Sequence, residues 1–205
     1  MLQISKLHFT YPASSEPILN DGSATFPPGI TLVRGGDGRG KTTLLRLLAG
    51  DLKADSGRVQ LDGICLQDQP ALYRQQVFWQ DPRSDTHDAQ VASDYLRQAQ
   101  SRWPAFDGAL LAHLLAGLSL ELHLGKQLFM LSTGSKRKVF LAAALASGAR
   151  LTLLDMPFAA LDKPSISFLI DTLTAEAHKG ERICVLADYE APPGLPLAAK
   201  LNLGD

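Results

Sequence analysis

The chain has 205 residues, enough for one domain with a small inserted lobe. Its 45 % apolar and 20 % charged residues are those of an ordinary globular protein, and its formal net charge of −1 excludes an overall field that would draw it to nucleic acid or acidic lipid. No apolar run approaches the roughly 20 residues of a membrane span, and Cys65 and Cys184 lie too far apart in the chain to form a ligand-like cluster.

MLQISKLHFTYP alternates as a strand does and lacks the apolar segment of a signal peptide. GITLVRG (29–35) predicts a short strand running into glycines, and KTTLLRLLAG (41–50) a helix closed by Gly50. GRVQLDG (57–63) predicts a strand ending at an Asp62–Gly63 turn, and QQVFWQDP (75–82) another stopped by Pro82. Residues 84 to about 147 carry helical apolar spacing, interrupted at Pro104 and Gly125. Two strongly apolar strands follow, RLTLLDM (150–156) and RICVLAD (182–188), separated by a helix over 166–179. PPGLP (192–196) is a loop, and AKLNLGD closes the chain with a short strand. Apolar strands alternating with helices predict an α/β fold with a mostly parallel sheet buried on both faces. The expected organisation is one domain, with a core of about 1–82 and 148–205 and an inserted helical subdomain of about 83–147.

GGDGRGKTT (35–43) fits G-x-x-x-x-G-K-[ST] through Gly35, Gly40, Lys41 and Thr42, after a strand and before a helix. Glycines let the backbone fold tightly, so the N–H groups of Gly35, Gly36, Asp37, Gly38, Arg39, Gly40, Lys41, Thr42 and Thr43 are candidates to cradle phosphate. The positive end of the following helix adds to that anion site. Lys41 is expected to reach the β- and γ-phosphates of ATP and the Thr42 hydroxyl to ligate Mg²⁺. Asp155, ending the LTLLD strand, is the expected carboxylate for the same ion.

With these motifs in this order, the chain resembles the nucleotide-binding subunit of ATP-binding-cassette (ABC) transporters over essentially its whole length, which implies an α/β P-loop NTPase fold with a mostly parallel sheet, an N-terminal antiparallel β region and the inserted helical subdomain. LSTGSKRKVFLAAALA (131–146) is similar to the family signature, usually LSGGQ: Leu131, Ser132 and Gly134 match, while Thr133 and Ser135 depart from it. The resemblance implies that Ser132, Thr133, Gly134 and Ser135 face the ATP held by a second subunit; capping of an amphipathic helix is the plainer reading. It implies that Tyr11 stacks on adenine, that Gln80 touches Mg²⁺ or the attacking water, and that Asp162, in AALD, contacts the opposite subunit. The basic run SKRK (135–138) reads as a solvated helix face or a partner contact rather than a nucleic-acid patch.

Two positions depart from the family pattern. A glutamate normally follows the aspartate; here Met156 does, and a thioether is no base. The usual switch histidine is replaced by Tyr189 or, in an alternative alignment, Asp188. Loss of a general base costs about 10²–10⁴ in rate, so hydrolysis is expected to be slow while binding of MgATP through Lys41 and its neighbours persists. Asp188 or Glu190 is left open as a substitute base. The resemblance implies a membrane permease and a second ABC subunit as partners, in a homo- or heterodimer, and a cytoplasmic place at the inner face of a membrane. An ATP-gated clamp or regulatory module without transport is the alternative reading.

Overall fold

The computed structural model describes residues 1–204, as two sheets with helices around them. The first sheet is antiparallel and contains β1 (Leu2–Phe9), β2 (Leu19–Phe26), β4 (Ser56–Leu61) and β5 (Ile64–Cys65), in the order β2-β1-β4-β5. The β4–β5 connection is the predicted two-residue turn, with φ of 46° at Asp62 and 89° at Gly63, the left-handed pair that a tight hairpin needs. The strand β2 carries no apolar alternation: in LNDGSATF only the end residues Leu19 and Phe26 are buried, and pairing with β1 makes it a strand.

The second sheet is parallel and contains β3 (Gly29–Arg34), β6 (Val77–Trp79), β7 (Leu151–Asp155), β8 (Ile183–Asp188) and β9 (Leu197–Asn202), in the order β6-β7-β8-β3-β9. Both faces are buried at the central strands β7, β8 and β3, as their continuous apolar runs require, while the edge strand β9 alternates half-buried and exposed residues. On one face Leu153, Val185 and Val33 pack with α1 (Lys41–Ala49) and the antiparallel sheet; on the other Leu154, Leu186 and Leu32 pack with the later helices.

The expected helical block is not continuous. Residues 84–91 are turns, bridged to Gln127 at Val91. The helices proper are α3 (Ala92–Arg102), α4 (Gly108–Gly117) and α5 (Thr133–Ala146), and only two single-turn 3₁₀ segments lie between α4 and α5. A short α2 (Pro70–Arg74), missed by periodicity, precedes β6. The strand expected over 75–82 is confined to its three central residues. The helix expected over 166–179, α6, begins earlier, at Lys163, because Asp162 caps it and Pro164 sits in its first turn. At the C-terminal end of α5, Arg182 donates to the carbonyls of Leu145 and, just beyond the helix, Ala149, each at 2.9 Å, so buried acceptors at a helix terminus meet a cation.

This topology fixes where a ligand belongs. In an open parallel sheet, sites form beyond the carboxyl ends of the strands. Strands β7, β8 and β3 are adjacent, with Asp155 opposite Ala187 and Arg34 opposite Asp188, so the chain leaves all three at one edge of the sheet.

Candidate functional site

From Arg34 the chain turns through Gly35–Gly40 into α1. Gly40 is the N-cap residue, with φ 87°, and Gly38 has φ 73°; both lie in the left-handed region that favours glycine. No side chain caps α1 and no acidic residue occupies its first turn, so its N–H groups and dipole are available to an anion. Lys41 is buried, and its Nζ donates to the carbonyls of Gly35 at 2.6 Å and Gly36 at 2.8 Å, holding the loop closed around the ammonium.

Opposite the loop, the Thr42 hydroxyl donates to Oδ2 of Asp155 at 2.7 Å. The other carboxylate oxygen, Oδ1, is buried without a hydrogen-bond partner. Burial raises the pKa of Asp155 above the usual carboxylate value, opposed by the Thr42 bond. A buried oxygen with no donor is costly and suits a cation. Mg²⁺ keeps most of its waters and takes only one or two protein oxygens beside substrate phosphates. The unpartnered Oδ1 and the free lone pairs of the Thr42 hydroxyl are such a set, and among the described residues no cluster of three His, Cys, Asp or Glu offers another.

Tyr11 stands beside the loop: its hydroxyl is 3.0 Å from Oγ1 of Thr43, and its ring meets Phe9 edge-on at 4.9 Å. Tyr189 reaches the loop from the end of β8. Its hydroxyl donates to the Asp37 carboxylate, and its ring lies 4.3 Å from Nζ of Lys41. Asp188 is half-buried at the same edge, its pKa raised by desolvation, within electrostatic reach of Lys41, Asp155 and Arg137.

The other expected residues form no hydrogen bond with this cluster. The Gln80 amide donates to the Asp81 carbonyl at 3.2 Å, and its side chain lines a small cavity with Asp155, Arg137 and Pro157. Ser132 caps α5, its Oγ accepting from the Ser135 N–H at 3.1 Å and donating to the Ser135 hydroxyl. Asp162 caps α6, accepting from the Ser165 N–H at 2.9 Å, and pairs with Lys138 at 2.7 Å. Thr133 is exposed in the first turn of α5, and Gly134 presses against the 159–162 loop. Among the described residues, 132–135 form no hydrogen bond with the loop at 35–43.

Met156 holds a left-handed backbone, φ 47°, unusual for a side chain of its size. Its N–H donates to Ala187 at 2.8 Å, and its carbonyl accepts from Nη1 of Arg137, which also donates to the Asp155 carbonyl at 3.0 Å. Sequence reasoning missed this role of Arg137. Of the two expectations for the basic run, a solvated face does not describe it, since its side chains have partners within the chain: Lys136 bonds Ser84 and Asp88, Arg137 the end of β7, and Lys138 Asp162. The density of that run was the available signal; its direction was not.

The sequence pattern of the ABC transporter family matches residues 19–159. Among curated proteins, the taurine import ATP-binding protein TauB of Pseudomonas fluorescens Pf-5 is 37 % identical in an alignment that covers 79 % of this chain and 61 % of that protein. The chain thus spans about three fifths of that relative's length. The cytochrome c biogenesis ATP-binding export protein CcmA of Legionella pneumophila is 29 % identical over 193 residues, 94 % of each chain. Among solved structures, the dimeric structure of a bacterial ABC transporter cassette superposes with a TM-score of 0.78, covering 93 % of this chain and 88 % of that one; at 20 % identity the likeness shows the fold alone.

Proposed function

The chain belongs to the ABC transporter family, and from that premise we propose that it is the ATP-binding subunit of a transporter. One observation carries this reading: the glycine loop and Lys41 stand at the uncapped end of α1, facing the Thr42–Asp155 pair with its unpartnered oxygen. ATP is the nucleotide of the family, and Mg²⁺ is the ion this pair suits. Backbone N–H groups of residues 35–43 bind the phosphates, apart from that of Gly36, which donates to the Gly204 carbonyl at 3.0 Å; Lys41 offsets their charge, and Thr42 and Asp155 hold the ion. When bound, Mg²⁺ neutralises charge that develops on the phosphate oxygens. Tyr11 stacks on the base, and Gln80 carries the state of the site toward the partner.

The core of about 1–82 with 148–205 binds nucleotide, and the helical subdomain of about 83–147 presents Ser132, Thr133, Gly134 and Ser135 to a second ABC subunit, with Asp162 beside them. That head-to-tail pair drives a membrane permease from the cytoplasmic side. Among the described residues no helix is long and apolar enough to cross a membrane; in this reading the permease chain supplies the spans. Cargo and direction belong to that chain: the relatives include one protein named for import and one for export. Hydrolysis is slow because Met156 supplies no base.

The test is a calorimetric titration of the full chain with MgATP, beside Lys41→Ala. Saturable binding at micromolar to millimolar nucleotide, weakened at least tenfold in the variant, supports the reading. A wild-type chain that takes up no heat at millimolar nucleotide overturns it. Copurification with a membrane protein tests the transport arm separately.

A further inference from the structure

Lys41 has three N–H donors. Two are spent on the Gly35 and Gly36 carbonyls, inside the loop. The remaining side of the ammonium faces the ring of Tyr189, 4.3 Å from its centroid. A cation above an aromatic face is attracted by the ring's negative quadrupole, so the ring supplies there a weak version of what an anionic oxygen would supply. The tyrosine is fastened a second time, by its hydroxyl, to the carboxylate of Asp37 in the middle of the same loop. Together the two contacts span the loop from Asp37 to Lys41, across its mouth.

A phosphate that reaches Lys41 must approach from the side the carbonyls do not occupy. That is the side the ring covers. Both cannot hold it, because each needs the same face of one ammonium. The ring is free to leave: Tyr189 is 40 % exposed and follows the last residue of β8. Its backbone is anchored independently, since its carbonyl accepts from Nε of Arg34 at 3.2 Å. Departure is therefore a side-chain rotation, which leaves the strand end and the neighbouring Asp188 where they are. The anion's full charge then replaces the ring's quadrupole, so the exchange favours nucleotide but costs the cation–π contact and the Asp37 bond.

We propose that Tyr189 is a positioning residue of the nucleotide site, a latch that covers Lys41 and tethers Asp37, and that nucleotide must displace it to bind. This rests on the reading of residues 35–43 as the phosphate site. It adds that the aromatic residue opposes nucleotide entry, where a residue recruited to contact phosphate would favour it.

The experiment compares MgATP affinity by calorimetry for the full-length wild type, Tyr189→Phe and Tyr189→Ala. Removing both contacts is expected to tighten binding roughly five- to tenfold in Y189A. Y189F, which keeps the ring and loses the Asp37 bond, is expected to fall between Y189A and the wild type. Backbone amide exchange over residues 36–40, measured without nucleotide, is expected to be faster in Y189A. An ordinary structural role would weaken binding instead. Equal or weaker affinity in Y189A, with the wild type binding normally, overturns the latch and leaves the phosphate site standing. A wild type that does not bind removes the site and the latch together.

Discussion

Gly134 and Ala160 approach so closely that a Cβ on Gly134 would lie 2.3 Å from the Ala160 carbonyl oxygen. The first turn of α5 and the loop before α6 are thus in backbone contact, with Ala160 itself in a left-handed conformation, φ 62°. In an open helix, Gly→Ala gains about 1 kcal/mol. Here the added methyl meets a carbonyl that cannot rotate away, so Gly134→Ala is expected to destabilise by about 1–3 kcal/mol. Urea unfolding decides the sign; a midpoint that rises would refute the close contact.

Arg137 should behave as a structural clamp. Its Nη1 serves the carbonyls of Asp155 and Met156 together, and burial opposes its charge, lowering its pKa, while Asp155 supports it. Arg137→Ala leaves both carbonyls without that donor, and the expected loss is about 1–3 kcal/mol. Arg137→Lys should recover only part, because the shorter lysine side chain does not bring its ammonium to the position that Nη1 holds between the two carbonyls. Full recovery in the lysine variant would argue that charge alone matters.

Met156→Glu tests the proposed cause of slow turnover. The backbone at this position is fixed by Ala187 on one side and Arg137 on the other, so the exchange changes the side chain without releasing the φ of 47°. Steady-state ATP turnover is expected to rise on the order of 10²-fold, the lower end of a general base's contribution. An unchanged rate, with MgATP still bound, would show that the missing carboxylate does not limit hydrolysis.

Low pH should act through Asp62. The hydrogen bond from Arg150 is the largest cause holding its carboxyl down at about 2, against an ordinary 3.8. A depressed folded value means the stabilising contribution is whole above the unfolded pKa of 3.8 and is lost as pH falls from there through about 2. Arg150→Met should move the Asp62 titration, followed by carboxyl NMR shifts, upward toward 3.8 and remove that part of the acid dependence. A titration that stays near 2 in the variant would assign the depression to another group.

The amino-acid sequence by itself determined what depends on neighbours along the chain. Gly38 and Gly40 permit the left-handed turns, Lys41 to Thr43 open the helix, and the apolar runs at 151–155 and 183–188 are short enough to read as buried strands. These features placed the loop and Asp155 at strand ends before any contact was known. The limits were local too: LNDGSATF shows no alternation, since only two of its side chains are buried, and β2 exists because β1 offers it a partner.

Only the tertiary structure decided which side chains meet. Tyr189 and Asp37 lie 152 residues apart, and Thr42 and Asp155 lie 113 apart. They are neighbours because β8 runs between β3 and β7 in the sheet. The fold also brings Arg137 onto the end of β7, though its sequence context reads as a solvated basic face or a partner contact. Motif spacing encodes backbone conformation, which is set by the sterics of a few adjacent residues. The direction of a long side chain is set by whichever acceptor the folded sheet brings within reach.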